Sequence, residues 1–332
     1  MSNQVEDYLT HKKISVVVVC YKDEGNIKAL YSRLSNTLKK ITPNYEIIYV
    51  NDNSPDSSEK ILRELASKDK NLTVVNHSRN FGGQIAFTSG MVQAEGDAVV
   101  IMDGDLQDPP ETIRDFVKKW LEGYKVVYGT RKQREPSMGK FKSWLYHQFY
   151  VVFQKLSYIQ IPLDAGDFSL MDREVVDYIN SFPERDRFVR GLRAWVGFSS
   201  IGIPYIRPER YDGRESVSTK GLLSAFRWAR KAIFSFTYKP LEYVTYLAIF
   251  TCALAIIGIV FYFFMYLFSG APQGFSTLVV VILFFSAVQL LTLSILGEYL
   301  AKIFEEVKAR KRYIIREIIN NHRRGSIQEI HQ

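Results

Sequence analysis

The sequence is poor in cysteine. Its 332 residues include two cysteines, Cys20 in the apolar run ISVVVVC and Cys252 in a long apolar stretch. Neither has the spacing of a metal ligand, and a disulfide between them is not expected, which is typical of a protein from a reducing compartment. The N-terminal residues MSNQVEDYLTHKK are polar and no apolar h-region follows them, so the sequence predicts no signal peptide.

Two familiar nucleotide-binding motifs are also missing. The sequence contains neither G-x-G-x-x-G nor G-x-x-x-x-G-K-[ST], so neither a Rossmann dinucleotide site nor a P-loop is supported.

Apolar residues make up 47% of the chain, which excludes a disordered protein. The formal charge of +8 is compatible with nucleic acid, a phosphorylated substrate or an anionic membrane face as the partner.

Charge is nearly absent from two long stretches close to the C-terminus. Residues 241–270 contain a single charged side chain, Glu242, and residues 275–300 are similarly apolar. Each stretch exceeds the roughly 20 residues that a membrane-spanning helix needs. The alternative, a pair of buried core helices, is disfavoured by the length of the runs and by their lack of charge. We therefore predict two C-terminal transmembrane helices.

Basic residues flank the two apolar stretches, whereas the connecting loop SGAPQGFST is uncharged. The flanking residues are Arg227, Arg230, Lys231 and Lys239 on one side and Lys302, Lys308, Arg310, Lys311 and Arg312 on the other. The positive-inside rule then predicts a multi-pass protein of the inner (plasma) membrane with both termini in the cytoplasm. Topology and contact with lipid headgroups thus explain much of the positive charge, and nucleic acid is not an expected partner.

The composition divides the chain into four predicted regions. We predict a cytoplasmic catalytic domain over residues 1–215, an interfacial amphipathic helix over 216–240, two transmembrane helices over 241–300 and a basic cytoplasmic tail over 301–332. Residues 220–236 mix apolar and basic side chains at helical spacing, which favours a position in the headgroup plane. The aromatic and basic residues 139–156 either lie there too or pack on the soluble domain.

Strand and helix patterns alternate through residues 12–130. Continuous apolar runs such as ISVVVVC and YEIIYV predict strands that are buried on both faces, and amphipathic segments separate them. Ser54 followed by Pro55 predicts the start of the second helix. This order indicates an α/β fold with a doubly wound, mostly parallel sheet, whose ligands bind at the carboxyl ends of the strands.

Polar residues cluster after those predicted strands. They are Tyr21 and Asp23 after the first, Asp52 after the second, Ser78, Arg79 and Asn80 after the third, and Asp103 and Asp105 after the fourth. The pair Gly82–Gly83 begins the next helix, where free backbone N–H groups could face an anion. These residues predict a site at one edge of the sheet.

The stretch VVIMDGDLQDPP brings two aspartates to the end of a buried strand. Asp103 and Asp105 are two residues apart, so on an extended chain their carboxylates point the same way. Such a pair repels unless a divalent cation lies between them, and Mg²⁺ or Mn²⁺ accepts one or two carboxylates together with substrate phosphates. The alternative is that one or both aspartates only cap the following helix.

The chain resembles the membrane-anchored family 2 glycosyltransferases that load a sugar onto polyprenyl phosphate. These are the bactoprenol glucosyltransferases and the dolichyl-phosphate mannose synthases. The matching stretches include SVVVVCYKDEGNI, YEIIYVNDNSPDSS, HSRNFGGQIAFTSGM, GDAVVIMDGDLQDPPE, DAGDFSLMDREVV and LGEYLAKIFEEVKARKRYI, and together they extend over nearly the whole chain. The resemblance implies a glycosyltransferase A-type fold, a nucleotide sugar as donor and a polyprenyl phosphate as acceptor.

The resemblance also implies roles for individual residues. Those expected around the donor are Tyr21, Asp23, Asp52, Arg79, Asn80, Gly82, Gln84, Asp103, Gln107, Arg190 and Trp195. Asp103 and Asp105 would bind Mg²⁺ or Mn²⁺, and Asp167 matches the catalytic base. By resemblance the chain could also form a homo-oligomer, a tetramer in membrane relatives.

One departure from the family pattern concerns the acceptor. The segment R-x-x-G-x-S-K-Y reads RYDGRESVST here, so its Lys-Tyr pair is missing. Arg207, Arg210 and Arg214 are the predicted substitutes for holding the lipid phosphate.

The resemblance implies that the sugar, glucose or another hexose, is carried on UDP, and we expect the transfer to be inverting. Two alternatives remain at this stage. One is a membrane transferase that elongates a polysaccharide, although RGLRAW keeps only Arg193 and Trp195 of the Q-x-x-R-W motif. The other is a non-catalytic membrane scaffold.

Overall fold

The computed structural model describes residues 8–131, 165–208, 239–269 and 274–320. The strands are β1 (Ile14–Cys20), β2 (Tyr45–Asn51), β3 (Leu72–His77), β4 (Ala98–Asp103), β5 (Val126–Arg131), β6 (Ala165–Asp172), β7 (Ser200–Tyr205) and β8 (Ile315–Ile319). The helices are α1 (Ile27–Lys39), α2 (Ser58–Ala66), α3 (Gly83–Gln93), α4 (Ile113–Leu121), α5 (Arg173–Ser181), α6 (Val189–Trp195), α7 (Lys239–Ser269) and α8 (Phe275–Val307), with a 3₁₀ turn at Pro110–Thr112.

The strands in the described ranges form one sheet in the order β7-β5-β6-β4-β1-β2-β3-β8. β4, β1, β2 and β3 are mutually parallel, whereas β6 is antiparallel to both β4 and β5. β7 runs parallel to β5, and β8 runs antiparallel to β3 at the other edge. The predicted α/β fold with a mostly parallel, doubly wound sheet is confirmed.

Burial explains why the central strands are so apolar. Every residue of β1, β2 and β3 is buried, because helices cover both faces of the sheet. On α1, Leu30, Leu34 and Leu38 recur at a spacing of four residues, and each is fully buried in the core under the sheet. The remaining face of α1 is polar. The sequence pattern alone therefore predicts a helix that packs its apolar face against the sheet.

The second helix begins later than Ser54 and Pro55 predict. α2 begins at Ser58 with Ser57 as its N-cap residue. The hydroxyl of Ser54 donates to Asp56 Oδ1 at 2.6 Å and accepts from the backbone N–H of Lys22 at 2.7 Å. The Ser54 side chain therefore ties the loop after β2 to the loop after β1, and is not available as a helix cap.

The C-terminal part of the chain also differs from the predicted basic tail over 301–332. α8 continues to Val307, and Ile315–Ile319 then pairs with β3, with Val74 opposite Ile319. Arg63 forms an ion pair with Glu317 at 2.6 Å across this edge. Without β8, β3 would be the edge strand, and the N–H and C=O groups along its outer side would be unpaired. Pairing with β8 gives these groups main-chain hydrogen bonds. Residues 310–320 belong to the same compact unit as residues 8–131 and 165–208.

α7 and α8 lie in a second compact unit. Within them, Leu241–Met265 has a mean hydropathy of 2.6 and Phe284–Val307 one of 1.4, and both are long and apolar enough to cross a membrane. At most 6% of either window is buried, whereas a core helix of a soluble protein would be mostly buried. The predicted interfacial segments, 139–156 and 220–236, lie outside the described residues, as does nearly all of 216–240.

Candidate active site

The strand ends that carry the polar residues meet at one edge of the sheet. Val19 of β1 is in register with Asp103 of β4, and Cys20 is in register with Asn51 of β2. Asn51 in turn pairs with Asn76 near the end of β3. The strand order reverses between β1 and β4, which is where ligands of open parallel sheets bind. The predicted donor residues after these strands are therefore neighbours in space.

The turn of Asp103, Gly104 and Asp105 runs tightly against β1. A Cβ atom on Gly104 would lie 2.6 Å from the carbonyl oxygen of Val19, so only glycine permits this approach. Asp105 Oδ1 accepts the N–H of Gln107 at 3.1 Å, and Leu106 between them has a φ of 62°. The next helical turn begins at Pro110 with no side-chain cap, so neither aspartate caps it.

This turn concentrates negative charge. Burial raises the pKa of Asp103 well above its usual range, and the charges of Asp108, Asp105 and Asp167 raise it further. The positive charge of Arg207 lowers the pKa of Asp103. A bound cation would remove this repulsion.

The donor set fits a hard divalent cation that shares its coordination with a ligand. In the described ranges, no three His, Cys, Asp or Glu side chains are grouped so that they could hold a metal by themselves. Two carboxylates alone leave several coordination positions for phosphate oxygens and water. Mg²⁺ and Mn²⁺ accept such a set of ligands.

Arg207 lies beside this acidic turn. Its Nη2 donates to Gln107 Oε1 at 2.7 Å and lies 3.7 Å from Asp105 Oδ2. Gln107 Nε2 in turn donates to the carbonyl of Pro208 at 3.1 Å. Arg207, predicted to hold the acceptor phosphate, is thus within a few ångströms of the predicted metal ligands. Arg210 and Arg214 lie outside the described residues.

Asp167 projects from β6 toward two other elements. Its Oδ2 accepts from Gln84 Nε2 at 3.2 Å and lies 3.4 Å from Arg190 Nη2. Gln84 Oε1 also accepts the N–H of Val189 at 2.8 Å, so Gln84 joins the start of α3 to β6 and to α6. Oδ1 of Asp167 is buried and has no hydrogen-bond partner within the described chain. The side chain is thus oriented through its Oδ2 atom by Gln84 and Arg190.

Asp52 organises the loop that precedes α3. Asp52 is 1% exposed, and its carboxylate accepts the N–H groups of Phe81 at 2.9 Å and Gly82 at 2.7 Å. Gly82 has a φ of 95°, a left-handed conformation that glycine adopts without strain. Arg79, on the exposed part of the loop, packs over the Phe81 ring at 4.0 Å. Both Asp52 oxygens are therefore used to hold the loop.

The loop after β1 completes this edge. Tyr21 is 39% exposed, and its backbone N–H donates to Asp23 Oδ2 at 3.1 Å. Asp23 is buried, and its carboxylate lies against Gly104 of the acidic turn. Trp195, at the end of α6, is 58% exposed and packs edge-on against Phe182 at 5.1 Å. Tyr21 and Trp195 thus present aromatic surface to solvent.

Comparison with known proteins shows which family the chain belongs to. The model of "Glycosyl transferase family 2" matches residues 15–179. The glycosyltransferase YkcC of Bacillus subtilis (strain 168) is 39% identical over 92% of this chain and 94% of its own. The SfII prophage-derived bactoprenol glucosyl transferase of Shigella flexneri is 35% identical over 92% of this chain and 97% of its own.

The chain belongs to glycosyl transferase family 2. The resemblance stated from its motifs is thereby confirmed, and the protein is a glycosyltransferase with an A-type fold. Among solved structures, the mannosyltransferase PcManGT from Pyrobaculum calidifontis, in complex with GDP-Man and Mn²⁺, is 20% identical over 67% of this chain and 61% of its own, with a TM-score of 0.44. That likeness is too distant to bear on the ligands of this chain.

Three further residues of this glycosyltransferase were not among the predicted site residues. Asp108 is buried and accepts from the Tyr205 hydroxyl at 2.7 Å. Arg193 donates to the Gly166 carbonyl at 3.2 Å, and burial lowers its pKa to about 10, helped by the charge of Arg190. His77 is fully buried at the end of β3 and bonds to Asp52 at 2.8 Å. The sequence could have indicated His77 as a site residue, because it is a polar residue at the end of an apolar strand.

Proposed function

We propose that this glycosyltransferase transfers a hexose from a UDP-linked sugar to a polyprenyl phosphate, with inversion, at the cytoplasmic face of the membrane. One observation carries the proposal: Asp103, Asp105 and the oriented Asp167 lie at the same edge of a family 2 sheet. The relatives named as bactoprenol glucosyl transferases support a lipid phosphate as the acceptor.

Asp103 and Asp105 are the residues that would hold Mg²⁺ or Mn²⁺. Such a cation, when bound, stabilises the negative charge that develops on the departing diphosphate. Gly104 contributes by keeping the turn against β1, because any larger residue would push it away from the strand ends. Gln107 holds the far side of the turn through its contacts with Arg207 and Pro208.

Asp167 is the residue proposed to act on the acceptor. A phosphate monoester has a second pKa of roughly 6, so near neutral pH it is already mostly a competent nucleophile. A carboxylate beside it then needs to orient the attacking oxygen more than to remove a proton. The fixed orientation of Asp167 between Gln84 and Arg190 supports that role.

The loop of residues 78–83 and the start of α3 are proposed to receive the donor. Asp52 holds the backbone of Phe81 and Gly82, which leaves the N-terminal end of α3 facing this edge of the sheet. Free N–H groups at a helix start favour an anionic ligand such as a diphosphate. Tyr21, Asp23, Asn80 and Trp195 keep their predicted places around the donor as part of this proposal.

The two apolar helices are proposed to anchor the enzyme beside its lipid substrate. The donor is water-soluble, whereas the phosphate of a polyprenyl phosphate lies at the bilayer surface. α7 and α8 are long and apolar enough to cross the membrane, and their apolar side chains are exposed. Arg207, with Arg210 and Arg214, would then hold the acceptor phosphate.

The test uses full-length protein purified in detergent. A panel of nucleotide sugars is offered with a short polyprenyl phosphate, with and without Mn²⁺ or Mg²⁺, and the product mass is measured. We expect one hexose to be added to the lipid in a metal-dependent reaction. Sugar that appears in polymer and not in the lipid fraction would indicate a polysaccharide-elongating enzyme instead. Failure with every donor, and no heat stabilisation by any of them, would favour the non-catalytic scaffold.

A further inference from the structure

The segment that follows α8 returns to the loop proposed to bind the donor. The carbonyl oxygen of Ile314 accepts the N–H of Ser78 at 2.9 Å, and Ile315 is in register with His77. The ring of Tyr313 stacks on the ring of His77, with centroids 5.7 Å apart and an angle of 18° between the planes. A residue more than 230 positions further along the chain than His77 thus covers one of its faces.

His77 is held on its other sides as well. Its Nδ1 lies 2.8 Å from Asp52 Oδ1, and its Nε2 lies 2.8 Å from Ser89 Oγ. The Phe81 ring meets it edge-on at 5.5 Å. The imidazole is fully buried, so its position depends on these four neighbours and not on solvent.

Asp52 transmits the position of His77 to the loop. The Oδ1 atom that contacts His77 also accepts the N–H of Phe81, and Oδ2 accepts that of Gly82. A shift of the imidazole therefore moves the acceptor for two successive backbone groups of the loop. Those groups immediately precede the N-terminal end of α3, where the donor is proposed to bind.

We propose that Tyr313 is a positioning residue: by stacking on His77 it holds Asp52, and through Asp52 the loop of residues 78–83, in the conformation that binds the nucleotide sugar. The effect on the donor rests on the proposed function, whereas the effect on the loop does not. Tyr313 contacts no substrate in this scheme. It acts through two intermediaries, His77 and Asp52, and it couples the segment after α8 to the proposed donor site.

Several other contacts of this C-terminal segment involve neither Tyr313 nor His77. Arg316 pairs with Glu59 and Glu317 with Arg63, both on the exposed side of α2. The side-chain amide of Asn320 donates to the Ala66 and Leu72 carbonyls at the opposite end of β3. These contacts fasten β8 to the sheet edge, and they provide a matched control.

The test compares full-length Tyr313→Leu with Tyr313→Phe, which keeps the aromatic face, and with Arg316→Gln, which removes only a surface ion pair. Tyr313→Gln serves as a second non-aromatic variant if Tyr313→Leu does not fold. The first readout is hydrogen exchange of the peptide covering residues 78–84. The second is the KM for the donor and kcat with saturating acceptor.

For Tyr313→Leu we expect the rate of hydrogen exchange in the loop peptide to rise about threefold to tenfold, and the KM for the donor to rise by the same factor. This is the range expected for losing one aromatic pair. We expect kcat to stay within about twofold of wild type, since groups at the reacting atoms are unchanged. Tyr313→Phe should lie closer to the wild type than Tyr313→Leu in both readouts, and Arg316→Gln should match the wild type.

The inference is overturned if Tyr313→Leu and Tyr313→Phe exchange alike, or if exchange rises in an active enzyme whose donor KM does not change. If the wild type uses no nucleotide sugar, the proposed function fails instead. The exchange contrast then still decides whether Tyr313 positions the loop.

Discussion

At the scale of single residues, orientation of side chains dominates the site. Asp167 is fixed by an amide and a guanidinium, and Asp52 by two backbone N–H groups and an imidazole. Each carboxylate thereby loses rotational freedom before a substrate arrives. A pre-oriented group costs the reaction less entropy than a mobile one, which is the advantage such contacts give to an enzyme.

Asp167→Asn tests whether orientation or proton removal is the main task of this carboxylate. We expect kcat/KM to fall by roughly 10²-fold, the usual cost of misplacing a reacting group. The pH optimum should stay in place, because the acceptor phosphate ionises with a pKa of roughly 6 in both enzymes. The measurement is kcat/KM against pH. Residual activity that climbs steeply with pH would identify Asp167 as a true base.

Asp105→Asn tests the proposed cation site. The amide keeps the shape of the side chain and removes its charge, so we expect little activity at a Mn²⁺ concentration that saturates the wild type and partial recovery at higher concentrations. Asp115→Asn on the exposed side of α4 is the matched control, because Asp115 pairs only weakly with Lys118 at 3.4 Å. Equal Mn²⁺ dependence in both variants and the wild type would contradict a metal role for Asp105.

Sequence reasoning reached part of this residue-scale picture. The position of Asp103 and Asp105 at the end of a buried strand was predictable from the apolar run that precedes them. The partners of Asp167 were not, since Gln84 and Arg190 lie on helices whose approach depends on tertiary packing. Nothing local to Asp52 shows that its oxygens are used by the backbone of residues 81 and 82.

At the scale of elements, the start of α3 shows how a backbone conformation serves the site. Gly82 adopts a left-handed conformation immediately before the helix, and Gly83 is the first helical residue. Neither glycine has another atom within 4 Å of the place a Cβ would take. The two positions therefore differ in backbone conformation and not in available space.

Gly82→Ala and Gly83→Ala form a matched pair for this element. We expect Gly82→Ala to lose about 1–2 kcal/mol of unfolding free energy, because a left-handed conformation is costly for alanine. Gly83→Ala should keep or gain stability, by up to about 1 kcal/mol, through reduced freedom of the unfolded chain. Thermal unfolding of detergent-solubilised protein measures both. Equal melting temperatures for the two variants would contradict the role assigned to Gly82.

Element boundaries were predictable where the pattern is local. The buried strands and the amphipathic α1 follow from spacing alone. Ser54 was wrongly predicted as a helix cap because its hydroxyl is taken by Lys22 and Asp56, of which the first is distant in sequence. β8 was missed because IREII alternates only weakly and its partner strand lies some 240 residues earlier. Edge pairing over such a separation leaves no local signal.

At the scale of the whole molecule, the connectivity limits the topology. The chain leaves the catalytic unit before α7 and re-enters the same unit after α8, where β8 completes the sheet. If the two helices cross a membrane, both of their outer ends must lie on the side of the catalytic unit. The basic residues that flank the two helices lead independently to the same expectation.

Cysteine labelling in intact cells of the expression host tests this topology. In a Cys252→Ala background, Cys20 should remain unlabelled by a membrane-impermeant maleimide, since it is fully buried and burial, with the charge of Asp23, raises its thiol pKa to about 12. We expect Gln273→Cys, between α7 and α8, to react in intact cells. Lys28→Cys on α1 and Lys311→Cys after α8 should react only after lysis. Labelling of Lys311→Cys but not of Lys28→Cys in intact cells would place the two ends of the helix pair on opposite sides of the membrane. A chain so arranged could not pair β8 with β3, and the stacking of Tyr313 on His77 would be lost with that pairing.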